Sequence, residues 1–368
     1  MYEAISPYPA PQRSSGPISF GLVGTHTSPP CGLARFTAGL AGALSAHGAD
    51  VSLMTDPVLG EADIVILQHD VGWAGDEVVD IVAELRVPTI VVLHTIPEHP
   101  SEHQRVVLET VTATADHVVV LSEAARRRLH LTYRVARRKV STIPHGATLP
   151  TVPRVKRPSR PTILTCGLLR PGKGIERVID AMPSLRDVPG NPRYVVAGPM
   201  DPRIPAAEAD GYRDARMEQA RRLGVADSVS FDPRYYDNSA LAELIQQASV
   251  LVLPFDSTEQ VSSGVLADAF VHGRPMVATA FPHAVELLSS GAGIVVDHDD
   301  SVGLVAALRQ IITQPRLAGS MAAEVRRCAP EQAWPSVAAA YIDLARSLTH
   351  GPHADRYRRG AETTELRD

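Results

Sequence analysis

Lysine is nearly absent from this chain. Its 368 residues hold 36 lysines and arginines together, and only Lys139, Lys156 and Lys173 are lysines. Arginine-for-lysine bias of this kind usually reflects genome composition, yet it makes Lys173, set between two glycines, a scarce residue. Cysteine is sparse too: Cys31, Cys166 and Cys328 are far apart and odd in number. That excludes a disulfide framework and zinc-ligand spacing, and suits a reducing, cytoplasmic setting. Positive charge is not in excess, at a net −5 and a pI of 6.3, so nothing electrostatic argues for nucleic acid. No apolar run reaches the ~20 residues that cross a bilayer. The Pro/Ser-rich residues 1–16 lack the apolar centre of a secretory signal. No Gly-x-Gly-x-x-Gly follows the first strand-like run, which argues against a nicotinamide Rossmann site.

What is present is an alternating rhythm. Short apolar, β-branched runs (18–23, 51–54, 63–68, 89–94, 117–121 and 140–143) alternate with helix-like stretches at 33–47, 78–85 and 101–115. Continuous rather than alternating apolar runs indicate strands covered on both faces, hence a parallel sheet wrapped by helices. The pattern stops at a proline-rich, basic stretch, 148–161, and restarts with strands at 162–166, 193–197, 229–231, 250–253, 275–278 and 293–296. Helices are expected at 175–185, 215–223, 241–247, 265–272, 302–312 and 334–348. The reading is α/β, with two doubly wound Rossmann-like halves facing a cleft. Its parts are a flexible start (1–16), a first domain (17–147), a linker (148–161), a second domain (162–332), a closing helix (333–350) and a frayed tail (351–368).

The chemistry-bearing residues fall at strand ends, where such sheets bind ligands. Residues 262–279 read as a Gly-bearing turn, a short helix, a Gly-Arg-Pro break and a buried strand. Free N–H groups around Ser262, Ser263, Gly264 and Val265 would face an anion, and Asp268, one turn in, would accept from hydroxyls. Phosphate at one end and hydroxyls nearby describe a nucleotide sugar. Gly167-Leu-Leu-Arg-Pro-Gly-Lys-Gly174 places Lys173, with Arg170 three residues earlier, to meet a diphosphate. Gly32 at a helix start lets a pyrophosphate approach. His94 could bond a sugar hydroxyl or leaving phosphate, and His69 could meet an acceptor. Asp256 and Glu259 are candidates for sugar hydroxyls. Asp232-Pro-Arg-Tyr-Tyr236 lies where a nucleobase would sit. His99 and His103 lack a third ligand at fixed spacing, so no metal is expected. Asp297-His-Asp-Asp300 reads as a turn with a helix cap.

These pieces together resemble glycosyltransferase family 4, the group 1 glycosyltransferases, over roughly 18–349. The resemblance is carried by Pro-Pro-Cys-Gly-Leu-Ala at 29–34, Val-Leu-His-Thr at 92–95, Ile-Pro-His-Gly at 143–146 and Lys-Gly at 173–174. Val-Leu-Pro-Phe at 252–255, Ser-Ser-Gly-Val-Leu-Ala-Asp-Ala at 262–269 and Gly-Arg-Pro-Met-Val-Ala-Thr at 273–279 complete it. The chain looks most like a branch with Ser-Gly-Val-Leu in the donor loop. The resemblance implies a GT-B fold whose closing helix, begun by Trp334, crosses back to the first domain. It implies Gly32 beside the donor diphosphate, His94 near the transferring sugar, Lys173 on the leaving diphosphate and Asp268 on the ribose. Two residues depart from the pattern. Leu168 stands where the family carries Arg, leaving Arg170 as the substitute. Gln260 stands where the family's first Glu would be, with Glu259 one residue early.

The expected activity is a retaining, metal-independent transfer of a hexose from a GDP-mannose or UDP-glucose type donor to a glycan or lipid-linked acceptor. The mechanism is electrostatic, with the nucleotide-diphosphate sugar as co-substrate and no cofactor. Peripheral membrane contact through Arg126–Arg128 and 134–139 is weighed against a solvated basic face, which is preferred. The alternatives are a non-catalytic scaffold with a degraded donor site, and a GT-B nucleotide-sugar epimerase.

Overall fold

The computed structural model describes residues 17–24, 32–54, 62–70, 77–150 and 158–350. The expectations for 1–16, for 351–368 and for Cys31 lie outside these residues, as does the middle of the linker.

The first half is a six-stranded parallel sheet of β1 (Ser19–Val23), β2 (Asp50–Met54), β3 (Ile64–His69), β4 (Thr89–Leu93), β5 (His117–Val120) and β6 (Val140–Thr142). Their order is β2-β1-β3-β4-β5-β6. The central strands β3 and β4 are buried along their whole length, as their unbroken apolar sequences require. Helices α1 (Gly32–Ala46), α2 (Glu77–Glu84), α3 (Glu102–Thr114) and α4 (Glu123–Thr132) cover the faces. α3 begins in a reciprocal capping box between Ser101 and Gln104.

The second half repeats the plan with β7 (Thr162–Cys166), β8 (Arg193–Ala197), β9 (Val229–Asp232), β10 (Val250–Leu253), β11 (Met276–Thr279) and β12 (Ile294–Val296). The order is β12-β11-β10-β7-β8-β9, the doubly wound arrangement. Helices α5 (Ile175–Ala181), α6 (Ala206–Arg222), α7 (Asn238–Gln247), α8 (Gly264–Val271), α9 (Pro282–Leu288), α10 (Ser301–Thr313) and α11 (Pro315–Cys328) wrap it. Strand order reverses between β1 and β3 and again between β7 and β10. The loops leaving those strands therefore splay apart and open a crevice at each switch point.

Three helices escape the sequence reading. α4 is rich in arginine, so its small apolar face of Ala124, Ala125 and Leu129 hides among charges. α9 and α11 each start on a proline, which reads as a break although it suits a first helical turn. α6 starts at Ala206, well before the expected 215, because its first turns carry little apolar periodicity. α5 stops at Ala181, and Met182–Leu185 continues as a 3-10 turn around Pro183.

The chain crosses between the halves twice, and the crossings pair. Ala147 N donates to Gln332 O (2.8 Å) and Trp334 N donates to Ala147 O (3.1 Å). α12 (Trp334–His350) then packs Val337, Tyr341 and Leu348 into the first half's core beside Phe20, Phe36 and Leu40. The Trp334 indole lies in a slot between Gly39 and Gly146. A Cβ on either glycine would come within 2.3 and 2.2 Å of its ring. On the far side of the cleft, Glu286 of α9 caps α4, accepting from Glu123 N (2.9 Å) and Ala124 N (2.6 Å). Ser122 Oγ donates to Val261 O at 2.6 Å.

Candidate active site

A cavity of about 210 Å³ opens at the second half's switch point, and Gly32, Arg170, Lys173 and Val265 from the candidate set all line it. Its floor is the seam where β7 and β8 run on past their ends, through Gly167 N to Ala197 O (3.0 Å) and Leu169 N to Pro199 O (2.9 Å). One wall is Arg35 of α1, so both halves contribute.

The loop carrying Lys173 is pinned to the end of β10. Asp256 N donates to Gly172 O at 3.0 Å. Gly174, at φ +62°, lies so close to the chain that an added Cβ would meet Pro254 O at 1.7 Å. Between these two contacts the Lys173 ammonium comes to lie 3.9 Å from the centre of the Phe255 ring. Burial, with Arg170 nearby, pulls the lysine's pKa down to about 8. Arg170 itself is exposed.

α8 presents a partly used N-terminus. Ser263 Oγ accepts from Leu266 N (3.3 Å), while Ser263 N donates to Nδ1 of the buried His283 (2.9 Å). The Ser263 N–H is therefore committed inside the protein, while its hydroxyl keeps a proton to donate. The N–H groups of Gly264 and Val265 take no partner among the described residues, and Val265 faces the cavity. Burial pushes Asp268 up to about 6, although Arg35 stands 3.5 Å from its carboxylate and holds the charge in part. Arg35 also donates to Asn238 Oδ1 at 2.9 Å. It lines both the Lys173 cavity and a neighbouring one of about 190 Å³ that Asp268 lines, and so stands between them.

Three candidates are turned elsewhere. Asp256 accepts from Arg177 Nε at 2.9 Å and does not line the cavity. The Glu259 carboxylate reaches Glu98 N (3.4 Å) in the first half, and Arg128 takes its backbone oxygen. Gln260 folds back to donate to Ser262 O at 3.0 Å. In this structure these side chains make ties within the second half and across the cleft.

His94 and His69 stand at the ends of β4 and β3. His94 Nε2 donates to Gln68 Oε1 (2.8 Å), and its ring meets Phe36 edge-on at 4.8 Å. Burial and the neighbouring His145 hold its pKa down to about 3, so it is neutral near pH 7 and cannot act there as a proton donor from the imidazolium form. His69 is 3% exposed, with Nδ1 unpartnered. His99 precedes α3 rather than lying on it, and no metal-holding cluster occurs among the described residues. Asp300 is the cap of α10, accepting from Gly303 N at 2.7 Å.

Sequence reasoning missed Arg35, Phe255, Asp201 and His283. Asp201 is buried, gripped in two places by Arg203 (3.0 and 2.7 Å), and lines the cavity together with Tyr235 and Tyr236. His283 gave little signal, because the helix it opens starts on Pro282. Arg35 carried none, being one arginine among many.

Known proteins resemble this chain in sequence over its second half and in overall fold. The family model described as glycosyl transferases group 1 matches residues 160–314. D-inositol 3-phosphate glycosyltransferase of Rhodococcus opacus is 27% identical over 219 residues, 56% of this chain and 47% of the relative. Glycogen synthase of Mycobacterium tuberculosis is 26% identical over 208 residues, 56% of this chain and 47% of the relative. The chain thus spans about half the length of the curated relatives it matches. Sucrose-phosphate synthase of Thermosynechococcus elongatus superposes with a TM-score of 0.72 at 18% identity, covering 90% of this chain and 99% of that one. Anabaena HepE in complex with UDP-glucose gives 0.71 at 18% identity, covering 90% and 100%. At this identity the two structures speak for the fold alone. The second half, which holds the Lys173 loop and α8, thus matches the model of the group 1 glycosyltransferases, and the two six-stranded parallel sheets around one cleft have the GT-B fold.

Proposed function

We propose that this protein moves a hexose from a nucleoside-diphosphate sugar to a hydroxyl of a glycan or lipid-linked acceptor, with retention and without a metal. The observation that carries the reading is the cavity lined by Lys173, Arg170 and Val265, in which the lysine has no carboxylate within ion-pair distance among the described residues and the Asp201 carboxylate is held by Arg203. Such a set stabilises a departing diphosphate electrostatically. The bond from the sugar's anomeric carbon to the phosphate oxygen breaks. The acceptor oxygen bonds to that carbon from the same face, and its proton passes to the released diphosphate. A neutral His94 suits hydrogen bonding to the sugar rather than acid catalysis. UDP-glucose, carried by the Anabaena HepE neighbour, and GDP-mannose are the donors to try first.

Thermal shift with UDP, GDP, UDP-glucose and GDP-mannose is the test. A ligand at a hundredfold its Kd adds about 2.7 kcal/mol and a shift of several degrees. Stabilisation by one base series is expected, and no shift with any of the four overturns the reading. Binding without release of diphosphate in the presence of acceptors would favour the scaffold alternative.

A further inference from the structure

We propose that Phe255 is a positioning residue for Lys173, its ring face holding the ammonium at the point where the donor's diphosphate docks. The inference rests on the donor reading above for its ligand, but on geometry for its residues. Lys173 Nζ lies 3.9 Å from the centroid of the Phe255 ring, well within the range of a cation–π contact.

The ring is a fixed platform. Phe255 is 2% exposed and stacks on Phe281 with centroids 5.3 Å apart and planes at 19°. Its backbone oxygen accepts from Thr279 Oγ1 at 2.7 Å. The lysine's own loop is docked on either side of this platform, Gly172 to Asp256 and Gly174 against Pro254. The long, flexible lysine stem is thereby directed onto the aromatic face.

An aromatic partner does what a carboxylate would not. A carboxylate at this distance would neutralise the ammonium and compete with phosphate for its hydrogens. A ring face attracts the charge from one side and leaves the N–H donors pointing into the cavity. The attraction is needed, because burial and Arg170 both work against the charge. Of the neighbours that could favour the charge, the Cys166 thiol is pushed up to about 12 by burial and stays neutral near pH 7, and the Asp201 carboxylate is held by Arg203.

Fluorinated phenylalanines at position 255 test this without changing shape, since each fluorine weakens the ring's negative face. Two readouts are taken on the full chain. The first is the ionisation of Lys173 by NMR, which needs no nucleotide. The second is the affinity of UDP and GDP against uridine and guanosine by calorimetry. Stepwise fluorination is expected to lower the lysine's pKa progressively and to weaken the diphosphate but not the nucleoside. Phe255→Leu is expected to cost the diphosphate about 3- to 30-fold. The same change in a Lys173→Met background is expected to cost nothing further. A lysine pKa indifferent to fluorination overturns the proposal, as does equal weakening of diphosphate and nucleoside. If fluorination moves the lysine but neither diphosphate binds the unaltered protein, the positioning role stands and the donor reading falls.

Discussion

At pH 7 the cavity region holds a cation near the edge of losing its proton and, behind Arg35, a carboxylate near the edge of gaining one. Lys173 is drawn down to about 8 by burial first and by Arg170 second, with Asp201 acting the other way. Asp268 is pushed up to about 6 by burial, with Arg35 opposing. The two limbs are separable by ligand. On the donor reading proposed above, the ionised Asp268 accepts from the ribose diol, so uridine affinity is expected to rise as the pH climbs through about 6. On the same reading the protonated Lys173 meets the diphosphate, so the advantage of UDP over uridine is expected to fall above about 8. Calorimetry of both ligands from pH 5 to 9 checks the pair. A flat uridine profile would separate Asp268 from the ribose.

At the scale of elements, the Lys173 loop depends on one backbone conformation. Gly174 sits at φ +62° with its α-hydrogen side against Pro254 O. Gly174→Ala combines a left-handed strain of ~1–2 kcal/mol with that collision, so the loop must lift from β10. The expected result is a loss of UDP affinity larger than any loss for uridine, read by calorimetry. A variant that keeps UDP binding unaltered would show that the loop tolerates the shift. That Lys173 would stand at a strand end facing a cavity was legible from scarce lysine, flanking glycines and a strand just before them. The strands were legible for the same kind of reason: burial on both faces leaves unbroken apolar runs. Pairings set by shape were not legible. That Asp256 serves Arg177, and that Glu259 reaches into the other half, depends on where two separately coded loops meet. Their charge is visible in sequence and their direction is not. Nor do the starts of α9 and α11 announce themselves, because a proline at a first turn looks like a proline that ends one.

Across the whole molecule, the two halves are held by contacts of different character. Glu286 at the start of α4 and Arg35 against Asn238 are polar ties that water can replace. The Trp334 slot is not replaceable in that way, because its walls are the bare backbones of Gly39 and Gly146. Gly146→Ala forces the indole out or the crossing apart, and overpacking of this sort costs about 1–3 kcal/mol. The expected outcome is a melting temperature several degrees lower and a larger radius of gyration in solution scattering. An unchanged melting temperature would mean that the slot has slack. The paired crossings have a further consequence, for the order of events during synthesis. The first half lacks one wall of its core until α12 is made, since Val337, Tyr341 and Leu348 pack beside Phe20 and Leu40. The ribosome must therefore deliver the second half before the first can close. The earliest-made part of the chain waits longest, with its apolar face on offer to chaperones, and a cut before Trp334 is felt at the opposite end of the sequence.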